Sequence, residues 1–150
     1  MNISVSIRGG PELVAKLKRL SDDVAGETLE TAVLSGALLV QNAAKEKARW
    51  RTGNLRRSIH IGGHSSESEL SSSDGKDIGG NKRDRNSAEV LVGTNVVYAR
   101  RIEYGFSGTD SLGRSYNQPP HPYLRPAMDE KKEAVAKEIG EALKILLREL

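Results

Sequence analysis

The chain contains no cysteine and few aromatic residues, so two common means of stabilising a small domain are missing. Without thiols it forms neither disulfides nor thiolate metal sites, which fits synthesis in a reducing cytoplasm. Aromatic residues make up 4% of the sequence and hydrophobic residues 37%, whereas charged residues reach 29%. We therefore expect a thin, mainly aliphatic core that contacts with partner chains would complete.

Long hydrophobic runs are also missing, and none approaches the roughly 20 residues that a membrane-spanning helix needs. The first residues, Met1 to Ile7, alternate between apolar and polar side chains instead of forming the apolar centre of a signal peptide. We therefore expect a soluble protein with no membrane partner. The 23 basic and 20 acidic residues leave a net charge of +3, which favours weak contact with polyanions but does not by itself indicate a nucleic-acid reader.

Hydrophobic periodicity predicts an α+β fold, and the length of 150 residues suits one domain. Alternation over Ile3 to Ile7 predicts a strand, and Pro11 to Val24 has the spacing of a first helix. Glu27 to Lys47 predicts a longer helix with small apolar residues, which let another helix or a sheet approach closely. Two further strands are predicted at Leu55 to Ile61 and at Ala88 to Val92, paired antiparallel. A small antiparallel sheet packed against long amphipathic helices results.

Between the two paired strands, residues 62–87 are rich in serine and glycine and predict a long polar hairpin loop. Two interpretations stay open for it: a solvated, flexible insertion or an arm that contacts a partner. A second loop is predicted at Gly108 to Pro122, which is rich in proline and glycine. Leu124 to Leu150 then has the pattern of a final amphipathic helix, which we expect to begin at Pro126.

Residue types used in catalysis and metal binding are present, but not in the patterns that such sites require. His60, His64 and His121 do not share a predicted helix face, so ordinary surface or turn histidines explain them better than metal ligands. The serines concentrate in residues 62–87, and no Gly-x-Ser-x-Gly elbow precedes a helix. The sequence therefore predicts no catalytic residue, no cofactor, no metal ion and no enzyme activity.

Arginines gather around two predicted turns. Four of them bracket the Thr52-Gly53 turn and two follow Tyr98; they are Arg49, Arg51, Arg56, Arg57, Arg100 and Arg101. These side chains would meet at one end of the sheet. Three interpretations stay open: solvated or internally paired arginines, salt bridges between subunits, and contact with DNA phosphates.

Three short motifs carry the strongest functional signal. The first is Thr-Gly-Asn-Leu-Arg-x-Ser-Ile at Thr52 to Ile59, the second Tyr-Ala-x-x-x-Glu-x-Gly at Tyr98 to Gly105, and the third Pro-aromatic-Leu-x-Pro-Ala at Pro122 to Ala127. We expect aromatic residues of the second motif, together with Ile102, to compete for the core, while Glu103 caps or pairs with an arginine. In the third motif, prolines should deliver an aromatic residue and a leucine to one place.

In this order, the three motifs resemble the neck or tail-completion protein family of long-tailed bacteriophages. The resemblance implies an α+β structural subunit of the virion, made in the bacterial host cytoplasm, that assembles into a ring at the head–tail junction. Its implied partners are copies of itself, the head connector on the portal side, and tail-terminator or tail-tube proteins. DNA would leave the head through the ring, with non-specific contact. The main alternative is a basic DNA-binding or packaging accessory protein.

The resemblance implies an interface, and we expect six residues of the motifs to contribute to it: Arg56, Arg57, Arg100, Glu103, Tyr123 and Arg125. The chain departs from the family pattern before the first motif. The family usually has a Pro-hydrophobic-Asp sequence there, whereas this chain has Arg49 to Arg51. That turn is therefore expected to make different contacts in this protein.

Overall fold

In a computed structural model of the chain, the residues described are 2–6, 22–49, 51, 53–62, 81–84, 87–146 and 148. Their helices and strands combine long helices with a small antiparallel sheet, which confirms the predicted α+β class. In chain order they are β1 (Asn2–Ser6), α1 (Asp22–Lys47), α2 (Asn54–Ser58), β2 (His60–Ile61), β3 (Lys82–Asp84), β4 (Ser87–Gly93), α3 (Ala99–Tyr104), β5 (Phe106–Thr109), β6 (Ser115–Gln118) and α4 (Leu124–Leu146).

Strand β4 is the centre of the main sheet, and all of its pairings are antiparallel. Its residue Glu89 pairs with Ser6 of β1 on one side and with Lys82 of β3 on the other. Strand β2 pairs with the far end of β4 through Ile61 and Val92. Alternate residues of β4 turn towards the core, as the sequence predicts: Ala88, Val90 and Val92 are all buried.

Helix α1 lies at the centre of the fold and contacts both β4 and α4. It begins at Asp22, five residues before the predicted start, and ends at the predicted Lys47. Small residues along one stripe let it pack closely on both neighbours; the buried ones include Ala32, Val33, Ala37, Val40, Ala43 and Ala44. An ion pair between Lys47 and Glu130 connects its last turn to α4.

The prediction of a strand over Leu55–Ile61 is wrong for most of that segment, because residues 54–58 form helix α2. Gly53 adopts a left-handed conformation, with φ 73°, that turns the chain directly into this helix. The N–H of Arg57 then donates to the Gly53 carbonyl at 3.0 Å. Leu55 and Ile59 are four residues apart, so their spacing suits a helical face as well as one face of a strand.

The prediction of a loop over Gly108–Pro122 is also wrong, because strands β5 and β6 form a hairpin there. Gly113, with φ 78°, allows the tight turn between the two strands. The three prolines of the segment come after β6, at 119, 120 and 122, so none interrupts the pairing.

Other predictions lie partly outside the described residues. This holds for residues 11–21 of the predicted first helix and for most of the polar segment 62–87, within which Lys82–Asp84 is a strand and not a loop. The final helix begins at Leu124, two residues before the predicted Pro126. Its apolar residues Val135, Ile139 and Leu143 are buried, as the predicted amphipathic pattern requires. Among the described helices, none is both long and apolar enough to cross a bilayer.

Candidate functional site

The second and third motifs meet at Glu103, a residue of α3 whose side chain is fully buried. Its Oε2 accepts hydrogen bonds from the backbone N–H groups of Tyr123 at 2.7 Å and Leu124 at 3.1 Å. Its Oε1 accepts from the backbone N–H of Arg125 at 3.0 Å and from the Nε of the same residue at 3.2 Å. One carboxylate therefore fixes three consecutive residues of the third motif.

The three N–H groups are ones that a helix cannot satisfy by itself. The first four donors at a helix start have no partner within the helix, and here they would belong to residues 123–126. Glu103 accepts from the first three, and Pro126 has no N–H to satisfy. Ala127 then begins the helical pattern by donating to the carbonyl of residue 123 at 3.3 Å. The start of α4 is thus completely capped, with a negative charge at its positive end.

The approach to α4 is fixed as well. The N–H of His121 donates to the Ile102 carbonyl at 2.7 Å, which holds the proline-rich lead-in against α3. Tyr123 and Leu124 are both fully buried, so the prediction that this segment delivers an aromatic residue and a leucine to one place is confirmed. The guanidinium of Arg125 lies over the Tyr104 ring, 4.5 Å from its centre, in a cation–π contact.

The first motif supports the residues that lead into α3. Ser58 Oγ lies 2.6 Å from Thr94 Oγ1, and both side chains are buried. Thr94 Oγ1 in turn accepts the N–H of Val96 at 3.2 Å. Asn54 Nδ2 donates to the Tyr98 hydroxyl at 3.1 Å. A chain of hydrogen bonds therefore connects all three motifs, although Thr52 lies outside the described residues.

The six predicted interface residues fall into two groups. Arg56, Arg57 and Arg100 are exposed, and the side chain of Arg125 is 52% exposed while it pairs with Glu103. Glu103 and Tyr123 are fully buried, so their side chains support the surface from inside and do not form it. That the four arginines bind a partner stays a prediction.

The aromatic residues of the second motif do not occupy the core, contrary to the prediction. Tyr98 is 36% exposed and Tyr104 50% exposed. Ile102 is half-buried against the core, and Ala99 and Glu103 are the buried residues of α3. The exposed rings are used as partners for Asn54 and Arg125, a role that hydrophobic periodicity cannot indicate.

The histidines lie in different environments. His60 is buried, and its Nδ1 lies 2.7 Å from the Ser58 carbonyl oxygen. His121 is exposed, and His64 lies outside the described residues. Within the described part of the chain, histidine and carboxylate side chains do not gather in groups of three that would hold a metal ion.

Acid should remove the stability that Glu103 supplies. Burial acts to raise the pKa of Glu103, but hydrogen bonds from residues 123–125 outweigh it and hold the pKa below its ordinary value. A lowered folded-state pKa means that the contribution is complete above the unfolded-state pKa of about 4.3 and is lost as the pH falls through the folded-state value. We expect urea unfolding at pH 3 to 5 to show a weaker pH dependence in Glu103→Gln. An unchanged dependence would contradict this.

Tyr123 gives a second prediction, because its hydroxyl is buried and has no hydrogen-bond partner among the described residues. Burial raises the pKa of Tyr123, so the hydroxyl stays protonated. Tyr123→Phe removes an unsatisfied polar group, and we expect the free energy of unfolding to stay level or to rise by about 1 kcal/mol. Tyr116→Phe is the control, since its hydroxyl donates to Asp110 at 3.1 Å. A loss above about 1 kcal/mol for Tyr123→Phe would show that the hydroxyl has a partner.

The chain is a small α+β protein whose three motifs are connected to one another by hydrogen bonds. Residues 12–105 match the family described as "Bacteriophage HK97-gp10, putative tail-component", and the chain belongs to this family. The matched residues include the first two motifs and end at Gly105, before the third. The resemblance drawn from the motifs is thereby confirmed at the level of a phage tail component. Comparisons with curated proteins and with solved structures found no match.

Proposed function

We propose that the protein is a structural subunit of the phage neck, which forms a closed ring, joins the head connector to the tail and lines the path by which DNA leaves the head. The observation that carries this proposal is the family membership over residues 12–105. A tail component works by fitting its neighbours, and repeated heterologous contacts between identical subunits generate a ring when the rotation closes.

The hydrogen bonding of the motifs supports a role without chemistry. Glu103 is the most buried carboxylate of the site, and four donors occupy its oxygens. A general base must be free to take a proton from a substrate, and this carboxylate is not. Its interactions stabilise the start of α4 instead. We propose on this basis that the protein is not an enzyme.

The exposed arginines are the proposed contact residues. Arg56 and Arg57 lie on α2 and Arg100 on α3, and the Asn54–Tyr98 hydrogen bond connects the beginnings of these two helices. Acidic surfaces of the head connector or of tail-terminator and tail-tube proteins would pair with them. We also propose that residues 1–150 act as one neck domain, with an insertion at about 62–87.

A phage lacking the gene tests the function. Such a phage should accumulate DNA-filled heads and separate tails, because each part assembles but the joint does not. Supplying the wild-type chain from a plasmid should restore joined particles, which controls for effects on neighbouring genes. Joined, infectious particles in the absence of the protein would contradict the proposal.

A DNA-binding packaging accessory is the second candidate, favoured by charge. Among the described residues, Arg49, Arg51, Arg57 and Arg100 are exposed and form no ion pair with a carboxylate. If they bind phosphates, DNA affinity of the isolated protein should fall steeply with salt, by about one power of the salt concentration for each phosphate contacted. Absence of DNA binding at 50 mM salt would remove this candidate.

A further inference from the structure

The hairpin of β5 and β6 is only loosely connected to the rest of the described fold. Its contacts are mainly between its own two strands, and all four residues of β6 are exposed. At its base, the Arg101 guanidinium lies 4.4 Å from the centre of the Phe106 ring. An isolated two-stranded hairpin is marginally stable in water, so further pairing would stabilise this one.

The tip of the hairpin is nevertheless well ordered by Asp110. Its Oδ1 accepts the N–H groups of Leu112 and Arg114, both at 2.9 Å. Its Oδ2 accepts from Arg114 Nε at 2.7 Å and from the Tyr116 hydroxyl at 3.1 Å. These bonds hold the Leu112 side chain in water, where it is 75% exposed. The turn is therefore fixed in one conformation, with an apolar side chain exposed at its tip.

The two strands lack the charges and prolines that protect many edge strands. Natural edge strands carry lysine, other charges or proline. Residues 106–109 and 115–118 have neither a charge nor a proline, although 29% of the chain is charged. Strand β3 shows the contrast, because each residue of Lys82–Asp84 is charged and exposed.

Within the described part of the chain, strand β1 offers a second unprotected edge. It pairs with β4 on one side over all five residues, Asn2–Ser6, and no other described strand pairs with its opposite side. None of the five residues is charged. Pairing along this edge would therefore desolvate no charged side chain of the strand.

We propose that strand β6 of one subunit pairs with the β1 edge of a second copy. The proposal rests on the proposed ring, since it names the contact that would close it. Because β6 and β1 are different edges, their pairing between copies is a heterologous contact, the kind that generates a ring when the rotation closes. Main-chain hydrogen bonds between the added strand and the sheet would supply the affinity. A second copy is the chosen partner because the chain itself provides both uncharged edges, whose lengths of four and five residues differ by only one.

Cross-linking tests the contact directly, because the chain has no cysteine of its own. Full-length Ser4→Cys and Asn117→Cys chains are co-expressed during infection by a phage lacking the gene. Purified particles are then treated with a short bis-maleimide. We expect the mixed dimer of the two variants to exceed either same-variant dimer, since only the mixed pair brings the two edges together.

A charge substitution gives the matched functional measurement. Asn117→Lys places a charge on β6, and Asn42→Lys makes the same change at an exposed position of α1. We expect joined particles to fall at least about tenfold with Asn117→Lys and to be unchanged with Asn42→Lys.

Three outcomes separate the proposals. A dominant mixed dimer together with loss of joined particles supports the β6–β1 contact. Particles that contain the protein, form no mixed dimer and tolerate Asn117→Lys overturn the β6–β1 contact but do not contradict the proposed ring. Joined particles that contain no copy of the protein overturn the neck function, and the contact with it.

Discussion

Replacing Glu103 by alanine is expected to lower the free energy of unfolding by about 4 kcal/mol. The substitution leaves three backbone N–H groups at the start of α4 without an acceptor, two of them in fully buried residues. It also leaves the Arg125 guanidinium without its carboxylate. Urea unfolding of the purified chain, followed by circular dichroism, measures the change.

Two further variants distinguish the loss of the helix cap from the general effect of replacing a glutamate. Glu103→Gln keeps one acceptor oxygen but turns an amide N–H₂ towards donors, so we expect an intermediate loss of roughly 2 kcal/mol. Glu138→Ala removes an exposed glutamate of α4 and should change stability by less than about 0.5 kcal/mol. A loss below about 1 kcal/mol for Glu103→Ala would show that Glu103 does not hold the third motif in place.

Gly36→Ala is expected to destabilise the protein by about 2 kcal/mol, although the same change usually stabilises a helix by about 1 kcal/mol. A Cβ at Gly36 of α1 would lie 2.9 Å from Ile139 Cδ1, Ile139 Cγ1 and Val135 Cγ1 of α4. Both neighbours are β-branched and fully buried, so they cannot easily move away. The overpacking cost of about 3 kcal/mol exceeds the gain in helix propensity.

Gly140→Ala is the matched control on the facing helix. A Cβ at Gly140 meets nothing within 4 Å, so only the helix-propensity gain applies and stability should rise by about 0.5 to 1 kcal/mol. Thermal unfolding of both variants measures the two stability changes, which are expected to have opposite signs. Stabilisation by Gly36→Ala would contradict the close packing of α1 on α4.

The sequence predicts the long helices well because they have enough turns for the period to be clear. Alanines and valines repeat along α1 over 26 residues, and the burial follows the repeat. Helix α2 has only five residues, and the spacing of Leu55 from Ile59, which directly follows the helix, fits a helix and a strand alike. The left-handed conformation of Gly53 directs the chain into a helix, and hydrophobic periodicity contains no information on backbone conformation.

The β5–β6 hairpin was missed because the prediction for its segment relied on amino-acid composition. Glycine and proline predict irregular structure when they are averaged over a segment, but here the prolines follow β6 and Gly113 makes the turn. Asp110 fixes the turn by accepting four hydrogen bonds. An aspartate that starts a short turn before a glycine is a signal that the sequence does contain.

The candidate site could be predicted in part. The capping or pairing role of Glu103 follows from the sequence, and the structure confirms both with Arg125 as the partner. The contacts between motifs could not be predicted, because Ser58 and Thr94 are 36 residues apart and meet only in the fold. The proline-rich lead-in predicts that Tyr123 and Leu124 reach one place, but it does not predict that Tyr123, expected at an interface, is fully buried.

A reconstruction of the joined phage particle that resolves the neck tests the proposed ring most directly. It should show copies of this chain in a closed ring at the capsid exit, each touching the next, with Arg56, Arg57 and Arg100 at contacts with neighbours or with DNA. A particle in which the chain touches no copy of itself and lies away from the capsid exit would contradict it.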